Sequence, residues 1–355
     1  MAQLADVFED FRSMCLDTYK LDPAYYLSSP QLSWDAMLKQ TGAKFKLLSD
    51  PAMFRLFDSG IRGGVVMIST RYAHANNKSM GKDFDPTKPS VWLKGLDANN
   101  LYGWAMSQYL PYDGFEFLKE EEFATIDWQA QKDEQAVGYL VVADLEYPPE
   151  LHEEHNDFPL APERMIVKEE WLSDKQVNIR AQYNMPRGDS NTKLIPNLFN
   201  KHKYIVDYRN LKFYLDHGLK LGKVYAVIQY KQKPLMKSYI ELNQERRQSA
   251  KTDNQKNLFK LMNNAVFGKT CENQKKRTNI KLVNDKKKLE DLLRKPELMD
   301  VRIFDDNKDL CAVELQKLQI NITKPSYVGF VILELAKLHM YRYYLFSLFF
   351  LNKRH

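Results

Sequence analysis

Three cysteines in 355 residues (Cys15, Cys271 and Cys311) are too few and too far apart for a disulfide framework or a zinc site, and they fit a reducing compartment. Histidine is scarce too, and only His152 and His155 lie close together. They sit among acids in LHEEHND, with no cysteine or second histidine cluster to complete a ligand set, so the segment reads as a polar loop. Long apolar runs are missing. The most apolar stretch, Tyr343 to Leu351, is shorter than the roughly 20 residues a bilayer span takes, so no membrane partner is expected. The N-terminus carries acids early and reads as an amphipathic helix, not a signal peptide. Neither an internal repeat nor a low-complexity tract is present.

What the chain has is enough for a core and a polyanionic partner. Its hydrophobic fraction of 44% argues against wholesale disorder, and its length allows two or three domains. The net charge of +6 is modest, but it is concentrated: from Lys251 to Lys288 there are eleven Lys/Arg against three acids. Such an excess suits phosphate binding, and also a solvated helix face. Hydrophobic periodicity predicts helices over 1–20 (Leu4, Val7, Phe8 and Phe11 on one side), 201–217, 240–266 and 327–350. Strands are expected at 61–72, 90–98 and 137–147, and irregular chain from about 150 to 200. Residues 280–322 read as a strand, a charged helix and turns. Strands and helices do not alternate regularly, so the fold class expected is α+β.

The segment QKNLFKLMNNAVFGK concentrates the charge on one face. At about 100° per residue, Lys256, Lys260, Asn264 and Phe267 fall within an arc of roughly 80°. Leu258, Leu261, Met262, Ala265 and Val266 fall opposite, and Gly268 is expected to end the helix. Ammonium groups beside an aromatic ring suit a nucleotide, phosphates on the former and base or sugar on the latter. The residues KLMNNAVFG (260–268) resemble motif B of family B DNA polymerases, K-x-x-x-N-S-x-Y-G. Lys260, Asn264 and Gly268 match; Ala265 and Phe267 replace Ser and Tyr, each losing a hydroxyl. The resemblance implies that Lys260 binds the triphosphate of an incoming nucleotide. Lys256 would be a second phosphate-binding lysine, Asn264 would order the fingers helix, and Phe267 would pack on the nascent base pair. Arg247, in NQERRQSA, matches an upstream fingers position that is usually basic.

Asp97 ends the segment SVWLKGLD and precedes a turn. A carboxylate there can hold Mg²⁺ and leave room for phosphates, or it can form an Asx turn capping the next helix. DANNLYG (97–103) resembles motif A of the same family, D-x-x-S-L-Y-P. By that resemblance Asp97 is the metal-binding catalytic aspartate, and Ala98 offers its backbone carbonyl to the metal. Tyr102 lies under the sugar and excludes a 2′-hydroxyl. Asn100 and Gly103 depart from Ser and Pro, in a form familiar from polymerases of invertebrate mobile elements and related viruses. IRGG (61–64) resembles the Y-x-G-G motif that contacts template, with Arg62 supplying charge and Gly63 and Gly64 a close backbone approach; Ile61 departs from Tyr.

Residues 19–39, 138–163 and 324–341 resemble the protein-primed branch, especially polymerases of self-synthesising transposons. The implied architecture is an incomplete antiparallel palm sheet with helices, helical fingers and inserted regions. Residues 1–60 would be a remnant of the exonuclease-to-palm connection, and 61–160 palm with the template turn and motif A. Insertion and palm would occupy 161–235, fingers with motif B 236–280, a second insertion 281–325, and a palm helix with a divergent tail 326–355. Motif C (Y-x-D-T-D) is expected after the 327–344 helix, and no D-T-D occurs in the sequence. Asp305 and Asp306 precede that helix, in the wrong order. Asp144, on a strong strand, reads as structural. The exonuclease carboxylates would lie before Met1 and the thumb after the tail, so the chain is expected to be truncated at both ends.

The expected partners are template and primer DNA, deoxynucleoside triphosphates and a terminal protein. The expected cofactor is Mg²⁺, and an intracellular setting, the nucleus included, fits. Two alternatives remain: an inactive fragment that binds DNA or nucleotides, and another palm enzyme such as a reverse transcriptase. Lys260 and the 61–64 turn argue against the second.

Overall fold

In the computed structural model, residues 2–70, 72–185, 192–304 and 310–352 are described; Asp305, Asp306 and the last three residues of the tail lie outside them. Three helices open the chain: α1 (Ala2–Tyr19), α2 (Ser29–Thr41) and α3 (Pro51–Gly60). Pro51 at the first turn and the Asp50 carboxylate, which accepts from the Ala52 and Met53 amides, start α3. It ends on Gly60 because the chain there squeezes between a later helix and strand. A Cβ would lie 2.7 Å from the Phe330 ring and 2.9 Å from Ile205.

After an extended stretch come α4 (Leu101–Met106), β1 (Leu110–Phe117), α5 (Glu120–Phe123), β2 (Val137–Glu146) and α6 (His152–His155). Next are β3 (Glu163–Met165), α7 (Asp174–Gln182), β4 (Lys193–Ile195), β5 (Lys201–Asp207), α8 (Tyr208–Asp216) and β6 (Lys220–Lys233). The helices α9 (Lys237–Ser249) and α10 (Asp253–Thr270) form a pair. The chain closes with β7 (Thr278–Val283), α11 (Lys286–Leu293), β8 (Leu298–Ile303), β9 (Cys311–Gln316) and α12 (Ser326–Asn352).

The fold is mixed helix and strand. Its main sheet is four-stranded and antiparallel, in the order β1-β6-β2-β5. Both faces of β2 are covered. Leu140 and Val142 point into one core with α2, α3, α10 and the first half of α12. Val141, Ala143 and Leu145 point into another with α8, Leu338 and Tyr341. A separate sheet, β7-β9-β8, keeps a small core of its own beneath α11. Among the described residues no helix is long and apolar enough to cross a membrane.

Several expectations change. Among the described residues, 61–70 and 90–98 join no sheet; the one bridge there pairs Val91 with Asn76. Val66, Ile68, Tyr72 and Trp92 are accordingly exposed. Residues 201–207, expected as helix, are strand β5, where alternate and β-branched side chains pack better on a sheet. The single helix expected over 240–266 is two, broken at Ala250–Thr252, with the Thr252 hydroxyl capping α10. Helix α10 runs through Gly268 to Thr270, so the glycine is not its stop. In α1 the buried face is Cys15 and Tyr19; Leu4, Val7 and Phe8 are exposed. His155 is buried with its Nδ1 2.8 Å from the Tyr147 hydroxyl, and burial pushes its pKa down. No group of three metal-ligating side chains forms among the described residues.

One buried ion pair ties the sheet to α4. Arg209 grips Asp207 through Nε (2.8 Å) and Nη2 (3.0 Å), and its Nη1 donates to the Tyr109 carbonyl (3.0 Å). The Tyr230 hydroxyl donates to the same carboxylate at 2.9 Å. Removing one partner leaves a buried charge alone. Asp207→Ala is therefore expected to cost about 3–5 kcal/mol of stability in urea unfolding.

Candidate functional site

Helix α4 stands between two cavities. The chain leaving Asp97 turns through Asn100, whose φ of 53° is left-handed, a region asparagine tolerates better than most residues. Gly103 completes the turn, because a Cβ there would overlap the Asn100 carboxamide. The two departures from the usual motif are thus one local solution, an amide packed on a glycine.

The first cavity, about 350 Å³, is lined by Gly64, Asp97, Ala98 and Tyr102 and by Lys337 and Met340 of α12. Asp97 is exposed and makes no hydrogen bond or ion pair among the described residues. Lys337 is buried, and burial pushes its pKa down against the pull of Glu334.

The second cavity, about 550 Å³, lies between α4, α9 and α10. Asn99, Asn100 and Trp104 line it together with Arg247, Lys256 and Lys260. Arg247 and Lys260 have no acidic partner among the described residues, and Lys256 has only the exposed Asp253 at 3.3 Å. Glu241, also on the wall, lies 3.8 Å from Lys237. Exposed pairs of this kind contribute little, so the cavity keeps a positive excess fit for a polyphosphate.

The two walls meet through aromatic rings. Tyr102 of α4 and Phe267 of α10 stack with centroids 4.2 Å apart and planes 9° from parallel.

No protein-family model and no curated protein matches the chain. Among solved structures, phi29 DNA polymerase with primer-template DNA, in a post-translocation binary complex, gives a TM-score of 0.49 at 14% identity. That match covers 92% of this chain and 46% of the other. The orthorhombic crystal form of phi29 DNA polymerase gives 0.47 at 14%, covering 88% and 44%. Its ternary complex with primer-template DNA and incoming nucleotide gives 0.45 at 13%, again covering 88% and 44%. The chain spans less than half the length of the structures it matches.

The residues singled out in the sequence fall into two groups. Gly64, Asp97, Ala98 and Tyr102 share one cavity; Arg247, Lys256 and Lys260 share the other. Asp97 and Lys260 do not line the same cavity; the Tyr102–Phe267 stack joins α4, which follows Asp97, to α10, which carries Lys260. Arg62 is turned inward, its guanidinium 3.9 Å from the Tyr204 ring centre and donating to the Ile205 carbonyl, so it offers no charge to a ligand. Gly63 and Gly64 stay open, with nothing within 4 Å of where a Cβ would be. Asp144 is engaged structurally, accepting from the Lys203 amide (2.8 Å) and the Tyr225 hydroxyl (2.9 Å). These bonds, the amide's first, hold its carboxyl below the usual range.

Asn264 is exposed, and its neighbour Asn263 makes the buried contact to α9. Asn243 of α9 donates to Asn263 of α10 at 2.7 Å and accepts from the Tyr19 hydroxyl at 2.6 Å, all three buried. Leu261, expected inside, is 45% exposed, and Phe259 is buried in its place. The buried stripe is therefore rotated from the one the apolar pattern suggests. The sequence held one clue to this amide pair, two polar residues at positions facing the core.

Titration with inorganic tripolyphosphate separates these roles. Lys260→Ala and Arg247→Ala are each expected to weaken binding about tenfold, the size of one charge-assisted hydrogen bond. Asn264→Ala should change little, whereas Asn263→Leu should weaken binding by loosening the α9–α10 pair. Calorimetry on all four variants checks this.

Proposed function

We propose that this chain is the nucleotide- and template-holding part of a family B, DNA-directed DNA polymerase of the protein-primed branch. The observation that carries the reading is the convergence of Arg247, Lys256 and Lys260 on one cavity, against the turn that follows Asp97. Residues more than 140 positions apart supply its two sides, and both belong to segments that resemble polymerase motifs.

In this reading the four-stranded sheet is the palm, α9 and α10 are the fingers, and the sheet under α11 is the second insertion. The three cations neutralise the triphosphate of a deoxynucleotide. Tyr102 closes the space a 2′-hydroxyl would need, Phe267 backs the new base pair, and Gly63 and Gly64 carry the template backbone. Asp97 is a free carboxylate, and with the Ala98 carbonyl it fits one Mg²⁺ whose remaining ligands come from substrate phosphates and water. Magnesium bound there would stabilise charge developing at phosphorus during phosphoryl transfer to the primer oxygen. A terminal protein would supply the first primer hydroxyl.

One observation favours a second reading, binding of nucleotide and DNA without transfer. Asp97 is the only carboxylate among the described residues lining its cavity, and a second ion needs another.

Primer extension with Mg²⁺ and a DNA template decides between them. Extension that Asp97→Asn abolishes supports the polymerase. Binding of DNA and deoxynucleotide without extension supports the second reading, and neither binding nor extension sinks both. If extension occurs, Tyr102→Val is expected to reduce discrimination against ribonucleotides by about tenfold or more, read from incorporation ratios.

A further inference from the structure

Helix α12 is apolar along its buried length except at Glu334 and Lys337, which are 0% and 5% exposed. They pair at 2.8 Å, three residues apart on one face. A buried ion pair is seldom more stable than apolar side chains of the same volume, so what it contributes is geometry. Lys337 also donates to the Arg62 carbonyl at 3.2 Å. Glu334 accepts from the Asp207 amide (3.4 Å), and its own carbonyl accepts from the Asn210 side chain (3.0 Å). Arg62 is held from the other side too, by the Tyr204 ring and the Ile205 carbonyl. The stem of the turn is therefore fixed on both sides. Gly63 and Gly64 follow as backbone with nothing within 4 Å of where a Cβ would be, and Gly64 lines the Asp97 cavity.

We propose that Lys337 is a positioning residue, holding the Arg62–Gly64 turn in place so that the phosphodiester backbone of a nucleic-acid strand can lie on Gly63 and Gly64. This deepens, and for its ligand rests on, the reading of that turn as a template contact.

The test uses the full chain in two arms. Without DNA, hydrogen exchange of the buried Arg62 guanidinium, which donates to the Ile205 carbonyl, is followed by NMR; Lys337→Met should speed it about tenfold, and Lys337→Arg should recover most of the protection. If Lys337→Met does not fold, the double variant K337M/E334L removes both charges together and should show the same acceleration. With DNA, fluorescence anisotropy of a labelled primer–template should show affinity lowered about tenfold by Lys337→Met. The salt dependence should be unchanged, because no phosphate contact is lost. Tripolyphosphate binding at Lys260 should be unaffected. Unchanged exchange in both variants overturns the positioning role. A salt slope reduced by about one would make Lys337 a phosphate ligand instead. Failure of the unaltered chain to bind DNA overturns the template reading, and the exchange arm then still decides whether Lys337 anchors the turn.

Discussion

Three cations share one cavity because a buried amide pair holds the helices that carry them. Arg247, on α9, and Lys256 and Lys260, on α10, repel one another, and nothing on the exposed faces of these helices holds them together. The Asn243–Asn263 hydrogen bond, which the Tyr19 hydroxyl completes from α1, does so together with the Tyr239 hydroxyl's bond to the Met262 carbonyl and a shared apolar core. Breaking the Asn243–Asn263 bond leaves buried polar groups unsatisfied, which costs more than the bond contributes when made. The positive face is thus built on buried polar contacts within a largely apolar interface, and the Tyr102–Phe267 stack joins α10 to α4.

A second polar device does similar work on the other side of α4. Glu334, Lys337 and Arg62 fix the stem of a glycine turn from within the core, leaving its tip free. In both places the charge or backbone offered to a ligand is exposed, and the groups that aim it are buried. The pattern is that of a preorganised site, in which the supporting contacts are in place before the ligand arrives.

Much of this was legible in the sequence, in an uneven way. The exposed arc of α10 follows from a period of 3.6: Lys256 and Lys260 line one cavity, and Phe267 stacks on Tyr102. The resemblance singled out Asn264, which is exposed; its neighbour Asn263 makes the buried bond to Asn243, and an apolar tally does not register a hydrogen-bonded amide facing inward. Strand β2 announced itself through a run of β-branched residues. Strand β6 did not, since Lys223, Gln229 and Lys231 interrupt its apolar stretch and its pairing on both edges is a tertiary fact. Among the described residues, 61–70 and 90–98 have strand composition but no sheet to join, Val91 bridging only to Asn76. Arg62 read as a surface charge because sequence does not reveal a ring such as Tyr204 waiting across the fold.

The central claim is that the cavity between α4, α9 and α10 holds the phosphates of a nucleotide. A crystal structure of the protein with a deoxynucleoside triphosphate and Mg²⁺ tests it most directly. The account predicts triphosphate density against Lys260, Lys256 and Arg247, with the sugar beside Tyr102. Triphosphate bound elsewhere, with that cavity empty at saturating nucleotide, would contradict it.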